Sequence, residues 1–151
     1  MITEDYVSYK TAKLLKEKGF NESTIFVYYD FLPSSLCFPN EMCRRGVLNL
    51  FYYDETTNVN NKFNNSMSIP KYISGEVYSA PTIQMAMKWL REVHKRIILV
   101  NFHRKNRFSY DVLLDGECGD NYILYTGLSE HFKNYEEACE AAIKYCLENL
   151  I

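Results

Sequence analysis

The stretch from Phe108 to Asp115 constrains the fold more than any other. Phe108, Tyr110, Val112 and Leu114 alternate with Ser109, Asp111 and finally Asp115, the period of two expected of a strand with one buried face. Such a face needs covering, and amphipathic helices are legible on both sides of it. Before it, Ser79-Ala80-Pro81-Thr82 opens a helix in which Ile83, Ala86, Met87, Leu90 and Val93 recur at spacings of three and four. Trp89 is expected at the edge of that stripe. After it, Asn134 reads as an N-cap and Glu137 completes a variant of the capping box. Ala138, Ala142, Tyr145 and Cys146 then form a second stripe. Arg96–Phe102 and Asn121–Thr126 read as two further strands. The first is the more continuously apolar (Ile97, Ile98, Leu99, Val100), which predicts a central position. The order of helix, three strands and helix predicts an antiparallel meander with both helices on one face.

Ahead of this unit, the sequence predicts a helix over Tyr9–Lys18, with Ser8 as its N-cap and Gly19 as its stop. Thr24–Asp30 and Val47–Asp54 are rich in β-branched and aromatic residues and read as strands. Phe31–Gly46, with two prolines, reads as a loop. Glu55–Ser68 is polar and holds Asn58, Asn60, Asn61, Asn64 and Asn65, which favour turns over ladders. The predicted fold class is therefore α+β: a three-stranded meander packed by two helices, preceded by an N-terminal helix and two strands. A chain of 151 residues is expected to form a single domain over 1–151, with sub-units 1–54 and 79–151 joined by the loop 55–68. Order within 31–46 and 55–72 is not written in the sequence.

Composition narrows the function classes. Apolar residues make up 47% and the net charge is −2, which excludes general disorder and a basic tail. Apolar runs such as Ile97–Val100 are far too short to cross a bilayer, so no membrane partner is expected. Met1-Ile2-Thr3-Glu4-Asp5 is acidic where a secretory signal would be basic, so the expected compartment is the cytoplasm. Cys37, Cys43, Cys118, Cys139 and Cys146 are odd in number and not tightly spaced, which argues against a disulfide framework. Cys139 and Cys146 lie two helical turns apart and read as small core residues. No Cys/His set has zinc spacing, and Asp115, Glu117 and Asp120 lack the pattern of a calcium loop. No phosphate-cradling glycine motif occurs, and Glu92-x-His94 does not place both groups on one helix face. The expectation is a non-enzyme without metal or cofactor.

Three segments carry a resemblance. Tyr6-Val7-Ser8-Tyr9-Lys10-Thr11-Ala12-Lys13-Leu14-Leu15-Lys16-Glu17-Lys18-Gly19-Phe20 resembles the opening of a family of small uncharacterised proteins. That family is encoded by gut-anaerobe genomes, their prophages and related bacteriophages. The stretch from Ser79 to His94 and the ending from Tyr135 to Leu150 are similar to it as well. The resemblance implies a phage or mobile-element context and no particular activity.

Charge and aromatic content nominate the candidate sites. From Ala80 to Tyr110 there are seven Lys+Arg and one acidic residue; from Asp111 to Ile151 there are two Lys and nine acidic residues. The hairpin turn reads His103-Arg104-Lys105-Asn106-Arg107. Together with Arg91, Lys95 and Arg96 it forms the candidate surface for nucleic acid or an acidic partner. The element order is also that of a double-stranded-RNA-binding domain, but the last helix begins Asn134-Tyr135-Glu136-Glu137, acidic where those domains carry a phosphate clamp. Thirteen tyrosines are an unusual number. Strand alternation in Tyr28/Tyr29 and Tyr52/Tyr53 predicts one inward and one outward ring per pair, a candidate protein interface. The first expectation is therefore a non-enzymatic binding protein for an unidentified host or phage protein. Nucleic-acid binding through the basic surface is the second, and a pocket sequestering a small molecule the third. Homo-oligomerisation is compatible with each.

Overall fold

The computed structural model describes residues 4–24, 26–29, 48–50, 77–116, 122–127 and 130–151. The fold is α+β, with two three-stranded antiparallel sheets and three helices among the described residues. The chain divides into two compact units. One holds Ser8–Pro81, and the other joins Met1–Val7 to Thr82–Ile151.

In the Ser8–Pro81 unit, α1 (Tyr9–Glu17) is capped by Ser8, whose side chain accepts from the Thr11 N–H. It stops where Gly19, at φ 87°, enters the left-handed region that a residue without Cβ adopts freely. Strands β1 (Phe26–Tyr29), β2 (Leu48–Leu50) and β3 (Val77–Ser79) form a sheet of order β2-β1-β3. Tyr28 pairs with Tyr78 across β1 and β3, and the Tyr9 ring meets both edge-on at 5.7 and 5.8 Å. Ala12, Leu15, Phe20 and Val27 are buried in this unit. Strand β3 corrects the sequence reading, which placed Ser79 at the start of a helix. Ser79 instead lies in the ladder, opposite Val27.

In the other unit, α2 (Ile83–His94) begins one residue after Thr82, whose hydroxyl accepts from the Met85 N–H at 3.2 Å. The helix is capped at its end by Lys95 in the left-handed region. Strands β4 (Arg96–Arg104), β5 (Arg107–Leu114) and β6 (Tyr122–Thr126) form the predicted antiparallel meander in the order β4-β5-β6. The continuously apolar β4 is thus an edge strand and not the central one, because a meander centres the middle strand of its sequence. Helix α3 (Tyr135–Asn149) packs on β4 and β5, and α2 packs on β4 and on α3. At its start Asn134 Oδ1 accepts from the Glu137 N–H at 2.7 Å, while the Glu137 carboxylate accepts from the Lys133 N–H at 3.1 Å. The capping box is therefore present, shifted so that the return bond reaches the residue before the cap.

The core lies between these helices and one sheet face. Ile83, Ala86, Trp89 and Leu90 of α2 meet Ile98, Tyr110 and Val112 of the sheet and Ala138, Cys139, Ala142, Ile143, Cys146 and Leu147 of α3, all buried. The α2 stripe is rotated from its predicted phase: Trp89 is buried, whereas Val93 is 57% exposed. Burial pushes the Cys139 thiol up to about 11 and the Cys146 thiol up to about 12, so both behave as small apolar core groups. Tyr110, Tyr125, Tyr145 and Phe132 form an aromatic cluster beside them, with Tyr125 and Tyr145 only 4.1 Å apart between ring centroids. No helix among the described residues is long and apolar enough to cross a membrane.

Candidate functional site

The β4–β5 hairpin ends in a tight turn at Lys105-Asn106, with Asn106 at φ 55°, a conformation Asn tolerates better than most residues. The ladder pairs Phe102 with Phe108 and then Arg104 with Arg107, so β4 carries one extra residue, His103, at a bulge. Bulges re-aim side chains. Here the bulge turns His103 and Arg104 toward the sheet face that the helices leave open. His103 Nε2 shares a 2.8 Å hydrogen bond with Ser109 Oγ on that face.

A second histidine joins from outside the hairpin. Phe132 forms an isolated bridge with Phe108, both N–H groups donating to the opposite carbonyl. This brings His131 to the hairpin end. Arg107 Nη2 donates to His131 Nε2, and the His103 and His131 rings lie 5.9 Å apart between centroids. His103, Arg104, Arg107, Ser109 and His131 are thereby gathered in one place, with exposed Lys105 at the tip. Among the described residues no carboxylate forms an ion pair with these cations; the ion pairs Lys88–Glu92 and Lys144–Glu148 lie on helix surfaces. The nearby Glu130 carboxylate accepts from the Tyr125 hydroxyl at 2.9 Å.

The electrostatic consequence falls on His131. Partial loss of water contact, and then the positive charges of Arg107, His103 and Arg104, hold its pKa below the usual imidazole value of 6.5. It is neutral at pH 7 and accepts from Arg107. A histidine depressed in the folded state takes up its proton more readily when unfolded, so its contribution to stability is fully present above about pH 6.5 and is lost as pH falls toward the folded pKa. His131→Gln is expected to flatten that part of the melting-temperature profile between pH 8 and pH 5 while leaving the pH 8 value unchanged. Thermal unfolding followed by circular dichroism checks this, and parallel profiles would contradict it.

The other nominated cations do not join this cluster. Arg91 and Lys95 are exposed at the α2–β4 junction, at the opposite end of the nine-residue β4. That separation is roughly 25 Å at the rise of an extended strand. Arg96 is committed to the fold: its Nη2 donates to the Leu150 carbonyl at 3.2 Å, closing the C-terminal end of α3. Of the tyrosine pairs, only the inward ring of the first can be placed. Tyr28 is 7% exposed and packed against Tyr9. Tyr29 lies in β1, where its side chain is outside the described residues, as are Tyr52 and Tyr53 altogether. Sequence reading missed Ser109 and His131, since only strand pairing brings them to the turn.

A cleft of about 210 Å³ lies where α2 and α3 begin, lined by Glu4, Asp5, Thr82, Ile83, Gln84, Tyr135 and Glu136. It is smaller than the roughly 300–1,000 Å³ of typical ligand pockets, and three of its seven lining residues, Glu4, Asp5 and Glu136, carry carboxylates. Among the described residues no group of three or more His, Cys, Asp or Glu side chains is placed to hold a metal ion. No family model, no curated protein and no solved structure matches the chain.

Proposed function

We propose that this chain binds nucleic acid through its phosphates at the end of the β4–β5 hairpin. The observation that carries the reading is the convergence of Arg104, Arg107, His103 and His131 at the hairpin end, held by the His103–Ser109 and Arg107–His131 hydrogen bonds. Arginine forks are the groups that seat phosphate oxygens, and a cation cluster with no ion-paired carboxylate among the described residues attracts a polyanion. A bound phosphate favours the imidazolium form of His131, so affinity rises as pH falls below neutrality. The proposed activity is stoichiometric binding, without turnover. A role in a phage or mobile element, as the resemblance at both ends of the chain implies, fits a small factor of this kind.

The test is a fluorescence-anisotropy titration of labelled oligonucleotides at 50 and 200 mM salt. Three to four phosphate contacts on a single strand weaken binding by about twenty- to fiftyfold between those concentrations. No binding at 50 mM salt would overturn the reading.

A further inference from the structure

We infer that the ligand is a single strand, with its phosphates at the hairpin end and its bases laid on the open face of the β4-β5-β6 sheet. This rests on the phosphate-binding reading above. The ladder register arranges the open face in cross-strand rows. Farthest from the turn stand Ile97, Leu113 and Ile123; next come Leu99, Asp111 and Thr126; then Asn101, beside a fully buried Ser109, and finally the cations. The face thus grades from apolar to cationic over about 20 Å, at two residues per row. Ile123 is 68% and Leu99 44% exposed, apolar surface that an unpaired base can cover and a duplex, with its bases stacked inside, cannot.

Asp111 sets the polarity of the track. It sits in the middle of the face, with Asn101 Nδ2 and Thr126 Oγ1 each donating to it at 2.7 Å. A carboxylate there repels phosphates, so the strand crosses the centre with bases over Asp111 and its backbone to one side, and the phosphates nearest the turn sit on the cations. Asp111 and Asn101 can also bond base edges. A duplex would need a second cationic row to meet its other strand. The start of α3 offers Glu136 and Glu137 instead, and the adjoining cleft adds Glu4 and Asp5.

The test is competition against a labelled single-stranded 12-mer bound at 50 mM salt, using the same sequence unlabelled as a single strand or a duplex. The single strand is expected to displace the probe at about tenfold lower concentration than the duplex. Leu99→Ser and Ile123→Ser, both at exposed positions, are each expected to weaken single-strand binding by about three- to tenfold without changing its salt dependence. A duplex that competes equally well, or unchanged affinity in both variants, overturns the single-strand inference and leaves phosphate binding standing. A probe that does not bind at all overturns both.

Discussion

Replacing Arg104, Lys105 and Arg107 together by Ala is expected to reduce oligonucleotide affinity to the point where no anisotropy change is seen at 200 mM salt. At 50 mM salt, where residual binding is measurable, the slope of log affinity against log salt should become shallower by about 2. The reason is stoichiometric: each phosphate contact on a single strand releases about 0.7 of a counterion, and three contacts are removed. The fold should be indifferent to the change. Arg104 and Lys105 are exposed at the hairpin tip, Arg107 donates to the exposed His131 ring, and no described carboxylate depends on any of the three for an ion pair. An unchanged melting temperature beside lost binding separates a surface role from a structural one. A triple variant that binds as the parent does would remove the hairpin from the account.

The second large effect concerns stability. Leu147 of α3 is fully buried, and Leu147→Ala is expected to cost about 3 kcal/mol through lost transfer free energy and the cavity left behind. In a unit of this size that lowers the melting temperature by more than about 10 °C. Val93→Ala provides the contrast. The simple periodicity of α2 places Val93 in the core, but it is 57% exposed, and the substitution should fall within about 0.5 kcal/mol of the parent. Equal losses in the two variants, measured by denaturant or thermal unfolding, would contradict the observed phase of α2.

Those two residues illustrate what the sequence makes legible. Helix caps are local, so Ser8, Gly19 and Asn134 could be assigned from their neighbours alone, and each occupies its expected place. Helix phase is less local. Trp89 is buried and Val93 is not because the packing of α2 on β4 and α3 decides which side of the stripe is covered. Strand β3 was hidden because Val77–Ser79 is short and runs straight into Pro81 and Thr82, which resemble a helix entrance; only pairing with β1 defines it. Likewise, nothing in the sequence around Gly127 shows that a Cβ there would come within 2.7 Å of the Tyr110 carbonyl oxygen.

The candidate site divides along the same line. Its basic turn is contiguous and was visible as His103-Arg104-Lys105-Asn106-Arg107. Its completion is not. The bulge that puts His103 and Arg104 on one face depends on register, and His131 lies 24 residues from Arg107 along the chain. Arg96, grouped with these cations by sequence alone, belongs to the end of α3. Charge counting therefore finds the patch but cannot separate cations free for a ligand from those spent on the fold.

The most direct test of the central claim is a two-dimensional amide NMR titration of the labelled protein with a short single-stranded oligonucleotide at low salt. The largest shifts are expected on His103, Arg104, Arg107, Ser109 and His131, with smaller ones along Leu99, Asp111 and Ile123. Shifts confined to α1 and the β2-β1-β3 sheet, or to the acidic cleft at Glu4, Asp5 and Glu136, would contradict it.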